Sequence, residues 1–387
     1  MATPADEAAV AELHVSADGS DWRDVSAPLQ SLDVEDHDRL TDKATIVLDD
    51  NTGLLGDASF EGLEVRLTLG WGPDDKETIF EGVVTSARVI AHPGGQRVEM
   101  TALDFTYRMT RRAFNPAEWA PGERLSEVLK RIAGRAEYGV KEKQIEPADD
   151  LKRTERTLIG SPNVNEWEFV LKQAEAQGCL AFVEFDGKET SNFYFVPLQT
   201  VARADPIGTL RYCRGSGDLI EFSYERISSG ALPAKSASSL DPVTGKPVQQ
   251  PAAEPPPRPP VPPPATRRER GLGDGPRKAL EALTELGAAA DAQLKQPVER
   301  VAGKPAVAEQ SAAVTIEPDP TRVVGYLGHG VATGTTKLRA KSKVTIFGIA
   351  PWATGDWYVT KVNHVYSRER VNNRTRASYF SKFVATR

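Results

Sequence analysis

IFEGVVTSARVIAHPGGQRVEMTALDFTYRMTRR, residues 79–112, is the stretch that decides the fold. It reads as two strands joined by a tight turn. Phe80, Val83, Val84, Ala87, Val89 and Ile90 mark the first strand. His92-Pro93-Gly94-Gly95 marks the turn, because glycine supplies positive φ and proline blocks further pairing. Val98, Met100 and Ala102 then alternate with Glu99, Thr101 and Leu103. That period of two puts one face inward and one outward. Asp104, Phe105, Thr106, Tyr107 and Arg108 follow, and Arg111 and Arg112 close the run.

Upstream, residues 10–70 also read as β. VAELHVS is an alternating strand, and SLDVEDHDRL is a strand running into an acidic turn. KATIVLDD places Ile46 and Leu48 on one face. In LEVRLTLGW, Leu63, Val65, Leu67 and Leu69 point inward while Glu64, Arg66 and Thr68 point outward. Closely spaced strands with turn signals and no helix suggest a barrel or sandwich.

Downstream, helical periodicity takes over. Leu125, Val128, Leu129, Ile132 and Ala136 fall at helical spacing, and Gly139 suits the C-terminal cap. A second helix starts after Ser161-Pro162, with Asn163 as N-cap and Glu166 three residues on. Trp167, Val170, Leu171 and Ala174 form its apolar face, and Gly178 ends it. CLAFVEFDGKETSNFYFVPL then reads as a hairpin turning near Asp186-Gly187. RYCRGSGDLIEFSYERI returns to β, with Leu219, Phe222 and Tyr224 as apolar members.

Residues 228–275 break the pattern, with PAAEPPPRPPVPPPA at their centre. Proline at this density supplies no ladder donors, so the segment is expected to lack regular structure and to act as a stiff spacer rather than a ligand for SH3-like domains. A helix begins at Pro276, with Leu280, Leu283, Leu286 and Leu294 as a thin apolar stripe. The final part alternates again through RVVGYLGHGVAT, KLRAKSKVTIFGIA, DWYVTKVNHVYSRER and RASYFSKFVATR.

Composition narrows the function classes. The chain has 387 residues, enough for two or three domains, with 40% hydrophobic and 26% charged residues. Its net charge of −6 argues against general nucleic-acid binding, which calls for a strongly basic domain. No apolar run approaches the roughly 20 residues of a membrane helix. The N-terminal MATPADEAAVAEL has acids where a signal peptide would be basic, so folding in the cytoplasm is expected.

No catalytic constellation is visible: GxSxG, HExxH and Cys-His patterns are absent. Cys179 and Cys213 read as two buried thiols, without metal-ligand spacing. Asp33, Glu35, Asp36 and Asp38 flank His37, but EF-hand spacing is missing, so they read as a solvated acidic turn rather than a calcium site. His14, His37, His92, His329 and His364 read as structural, with His364 packed in its strand. The glycines after Gly271 and Gly325 only faintly resemble phosphate loops, without the following Lys-Ser/Thr. Residues 361–387 carry seven Lys/Arg against one Glu, either a solvated face or a surface for an acidic partner. No catalytic, cofactor-binding or metal residue is assigned.

The order of segments resembles the phage late-control D family. These are baseplate hub proteins of contractile tails and contractile injection systems, related to the hub part of type VI secretion spike proteins. Phe80, Gly82, Val84, Val98, Ala102, Asp104, Tyr107 and Met109 carry the first motif, and Gly355 to Ser367, GDWYVTKVNHVYS, carries the closing one. The NEWEFVLKQAEAQG stretch resembles the family's small α/β insert. The spacer is longer than the family pattern needs.

The resemblance implies a mainly β protein with an α/β insert. A first barrel would span 1–118, the insert 119–205, a second barrel 206–230 with 321–387, and the proline-rich spacer and helix 231–320. It implies a non-enzymatic homotrimer whose paired barrels form a pseudo-hexameric ring between the inner tail tube protein and the central spike protein. Wedge or LysM-like adaptor proteins would be further partners. No cofactor is implied. The protein would assemble in the cytoplasm and become part of a tail or injection particle. Two rival readings are a hub-associated cell-wall hydrolase and an effector-carrying secretion spike. The apolar-poor spacer argues against the first, since it cannot build a core around an active site. The second would need a β-helical needle that this sequence does not show.

Overall fold

The structure, a computed structural model, describes residues 8–93, 95–153, 164–188, 190–226, 238–240, 247–249, 326–371 and 374–387. The first region holds β1 (Ala9–Ser16), β2 (Arg23–Asp24), β3 (Leu29–His37), β4 (Lys43–Asp49), β5 (Glu64–Trp71), β6 (Asp75–His92) and β7 (Gly95–Leu103). The β6–β7 hairpin pairs from Val83↔Leu103 to His92↔Gly95. Val98, Met100 and Ala102 are buried, as their alternation requires.

The preceding run, Ile79 to Val84, does not alternate, because two bulges interrupt β6. The first leaves Ile79 unpaired between Thr68↔Thr78 and Leu67↔Phe80, so neighbouring Ile79 and Phe80 enter the same core. Beyond it, Val84 faces the first-region core while Val83 faces the insert. This part of β6 is therefore buried on both faces.

The insert comprises α1 (Thr106–Thr110), α2 (Leu125–Ala133), β8 (Val140–Ile145), α3 (Glu166–Ala176), β9 (Cys179–Phe185), β10 (Ser191–Pro197) and α4 (Leu198–Arg203). Helix α2 ends earlier than its pattern predicts, at Gly134, where glycine weakens the helix. Gly139, at φ 69°, closes a separate short turn. Asn165, with Glu168 reciprocating, caps α3 in place of Asn163, which lies outside the described residues. That choice of cap leaves Glu166 fully buried and free to bind Arg135 at 2.8 Å and the Tyr138 hydroxyl at 2.5 Å. The expected β9–β10 hairpin gains a third strand, β8, paired in parallel with β10. Phe114 stacks on Phe169 at 3.8 Å within the insert core.

The last region holds β11 (Thr209–Arg211), β12 (Leu219–Arg226), β13 (Ser238–Leu240), β14 (Pro247–Gln249), β15 (Tyr326–Thr333), β16 (Ser342–Phe347), β17 (Gly355–Val371) and β18 (Arg374–Thr386). One 13-stranded sheet runs β12-β15-β18-β17-β3-β4-β7-β6-β5-β1-β2, with β16 on β17 and β11 on β16. Strand β17 joins the regions. Its first half pairs with β16 through Gly355–Val359, and its second half pairs with β3 through Lys361–Ser367. A bulge at Thr360 marks the handover.

Two expectations change here. Ser238–Leu240 and Pro247–Gln249 pair as a short antiparallel ladder inside the stretch expected to lack structure. They precede the dense proline run, so ladder donors are still available. The rest of the spacer and the helix after Pro276 lie outside the described residues. The glycines after Gly325 sit on strand β15 rather than in a phosphate loop. A Cβ at Gly328 would fall 2.4 Å from the Phe222 ring, and one at Gly330 would fall 2.2 Å from Phe383, its cross-strand partner. The glycine spacing is thus set by aromatic rings lying over the strand.

Gly330→Ala should therefore overpack this site and cost about 1–3 kcal/mol in denaturant unfolding, as overpacked cores generally do. Unchanged stability would mean that Phe383 does not lie over the strand.

Candidate functional site

The regions meet at a buried charged junction. The segment before β16 carries Lys341 inward, with a left-handed backbone at φ 61°. Its ammonium lies 2.5 Å from Asp36 Oδ1 on β3 and 3.7 Å from Asp42 Oδ2 in the β3–β4 connection, and it donates to the His37 carbonyl at 3.1 Å. Asp36 Oδ2 accepts from Ala340 N at 2.9 Å. Arg339 donates to the Ile79 carbonyl at 2.8 Å on β6 and pairs with Glu184 of β9 at 3.5 Å. Three parts of the chain thus share one cluster of charge.

Behind it, Asp104 closes β7. Its Oδ2 accepts from Asp42 N at 2.8 Å, and its Oδ1 accepts from Thr106 N at 2.8 Å and Thr106 Oγ1 at 2.5 Å. His364 of β17 is fully buried, with Nδ1 2.9 Å from the Tyr379 hydroxyl and 3.3 Å from Ser381 Oγ.

Burial alone would raise Asp36, but the Lys341 charge, with Arg339, outweighs it and holds the carboxyl down to about 2. Burial pushes Asp104 up to about 6 and Asp42 well above the carboxylate range. Burial works against the Lys341 ammonium, yet Asp36 and Asp42 hold its pKa above the ordinary lysine value. Burial, with Arg339 nearby, pushes His364 down to about 3, so its ring is neutral at physiological pH.

These positions correct the reading of a solvated acidic turn. Asp33 is exposed and Glu35 half-buried, but Asp36 and Asp38 are buried. The period of two that buries Leu32 and Val34 continues through residues 36 and 38. Asp38 packs beside His37 Nδ1 at 3.2 Å and Arg39 Nε at 3.6 Å. Among the described residues, no group of three His, Cys, Asp or Glu side chains is placed to hold a metal ion. His14 lies on β1 and His37 ends β3, whereas His92 adjoins the hairpin turn and His329 lies on β15, so the five histidines do not converge. Both cysteines are free, and Cys213 is exposed rather than buried.

The basic 361–387 stretch does not form one basic face. Lys361 pairs with Glu35 at 3.0 Å, Arg368 donates to the Ala27 carbonyl at 2.7 Å, and Arg387 donates to the Thr354 carbonyl at 2.5 Å. Arg376 stands opposite Glu369 across the hairpin. Lys382 is exposed beside a shallow depression of ≈ 350 Å³ lined by Glu221, Ser223, His329, Lys361 and Asn363. The outer face there is mixed in charge. It passes from β12 to β3 without a break, because both regions share β17.

This architecture is the fold of phage and prophage tail proteins. The tail protein from Neisseria meningitidis MC58 matches with a TM-score of 0.56 at 11% identity, covering 97% of this chain and 96% of that one. The 43 kDa tail protein of prophage MuSo2 from Shewanella oneidensis matches at 0.53 and 10% identity, over 97% and 98% of the two chains. A chain of the Francisella PdpA–VgrG complex matches at 0.53 and 9% identity, over 97% of this chain and 58% of that one. The sequence itself matches no protein-family model and no curated protein.

Lys341→Met should cost about 3–5 kcal/mol, because removing one partner leaves buried carboxylate charge uncompensated. Equilibrium unfolding checks this, and a cost near zero would mean that the Lys341–Asp36 pair is open to water.

Proposed function

We propose that this chain is a structural hub protein of a phage-like contractile tail or contractile injection system. Three copies would adapt a six-fold inner tube to a three-fold central spike. The observation that carries the reading is one sheet built from two β regions fused at β17, with an α/β insert seated on it. Its agreement with tail proteins over nearly the full length of both chains supports this. In this reading residues 1–118 and 206–230 with 321–387 form two like barrels, 119–205 the insert, and 231–320 a spacer. Two such units in each of three chains make six near-equivalent surfaces for the tube and three-fold surfaces for the spike. Closed cyclic symmetry limits the assembly to one ring.

The outer face around Lys361, Asn363 and Lys382 is the candidate contact with tube or neighbouring subunit. Wedge or LysM-like adaptors would bind elsewhere on the ring. The chain would transmit force from sheath contraction and carry no catalytic step or cofactor. The match to a chain of the PdpA–VgrG complex fits a place beside a spike.

The mass of the purified protein, or of the hub layer in a particle, should correspond to three copies. Six copies, or β regions that do not superpose, would overturn the adaptor geometry. Purified protein should leave cell-wall polymer intact, and digestion abolished by one His→Ala change would replace this reading with a hydrolase.

A further inference from the structure

The charged junction is unbalanced. Asp36 and Asp104 are buried, Asp42 beside them is half-buried, and Lys341 is the only cation within salt-bridge distance of Asp36 and Asp42 among the described pairs. Arg339 also bears on Asp36 and Asp42, but its charge is divided among several acids. Arg339 is shared with Glu184, and Glu77 adds a further carboxylate. His364 is neutral. On the β3 side, Asp38 lies beside His37 Nδ1 and Arg39 Nε.

Nor do the hydrogen bonds make up the balance for Asp42. Its Oδ1 accepts from His37 N at 2.9 Å, while its Oδ2 has the lysine only at 3.7 Å. Asp104 is tied to the same cluster through the Asp42 amide. The Thr106 hydroxyl beside Asp104 Oδ1 also lies 2.9 Å from Thr41 Oγ1, where either can donate. A proton on Asp104 Oδ1 therefore has an acceptor in place once the Thr106 hydroxyl turns to donate to Thr41.

We propose that this junction is an acid-tightened clamp. Asp104 takes up a proton under mildly acidic conditions, Asp42 beside it favours its protonated form, and the joint between β3, β7 and the Lys341 segment is stronger in that state. Neutralising two of three clustered carboxyls removes their mutual repulsion and leaves the Asp36–Lys341 pair intact.

The sign follows from linkage. Both carboxyls lie above their ordinary values when folded, so the folded chain holds protons that the unfolded chain has released. That contribution is full below the unfolded carboxylate value of about 3.9 and is lost as pH rises through the folded value, about 6 for Asp104. Asp36 acts oppositely, but only below the unfolded value, as pH falls toward about 2. His364 also acts oppositely, losing its contribution as pH falls from the ordinary histidine range toward about 3. The overall pH profile therefore mixes terms, whereas a comparison with a permanently neutral side chain at one carboxyl cancels the rest.

The test uses the full chain, as wild type, Asp104→Asn and Asp42→Asn, in denaturant unfolding at mildly acid and mildly basic pH. Relative to Asp104→Asn, the wild-type folding constant should fall by about tenfold between about pH 5 and about pH 8. A ratio that stays constant or rises overturns the proposal. Infrared difference spectra of wild type alone keep the test open if a variant fails to fold. Near pH 6, where exposed carboxyls are ionised, a protonated-carboxyl C=O band should be present, and its Asp104 part should be lost by about pH 8. Its absence also overturns the clamp.

Discussion

The Lys341 ammonium lies 2.5 Å from Asp36, with both side chains out of water, and the relative placement of the three regions depends on this pair. Moving either charge into the interior is costly, and the geometry repays it only when every remaining donor and acceptor is used. Asp36 meets this condition by accepting from both Lys341 and Ala340 N, and Lys341 by reaching the His37 carbonyl. Breaking any of these contacts would strand a charge, so the strand β3 and the Lys341 segment are held to one another rather than merely touching. Neighbouring Arg339 extends the constraint to β6 and β9.

The same economy governs the seat of the insert. The face of β5 that its sequence marks as solvent-facing carries Glu64 and Arg66. Glu64 binds Arg108 of α1, and Arg66 donates to Glu81 at 2.8 Å. Glu81 in turn accepts from Ser191 of β10 at 2.6 Å. The polar side of a half-buried strand is thus covered by polar partners from another region. On the opposite side, Trp71 donates to the Gly334 carbonyl at 2.8 Å, and Tyr366 and Tyr379 enter the first region's core. The last β region therefore completes a core begun by the first.

Much of this was legible locally. The hairpin at 79–112, the helix at 125–133, the capped helix before Trp167 and the closing strands follow from period and turn chemistry, which act between near neighbours in the chain. The acidic run at 33–38 misleads for the same reason. A composition count reads it as a surface turn, whereas the alternation already present in Leu32 and Val34 carries Asp36 and Asp38 inward. The basic excess over 361–387 misleads in the other direction, because sequence adds charges that the folded strands separate, pairing Lys361 with Glu35, placing Arg376 opposite Glu369 and tying Arg368 to a backbone carbonyl.

What the sequence determined by itself was the alternation of β and α segments, their turns and caps, and the absence of recognised catalytic motifs. Tertiary structure alone decided that β17 is shared between β16 and β3, that Gly328 and Gly330 make room for Phe222 and Phe383, and that Lys341 meets Asp36. Each of these depends on residues far apart in the chain. Lys341 and Asp36 are 305 positions apart, and no local period carries information over that distance. Their partnership arises because burying either charge without the other is too costly for the folded state to tolerate.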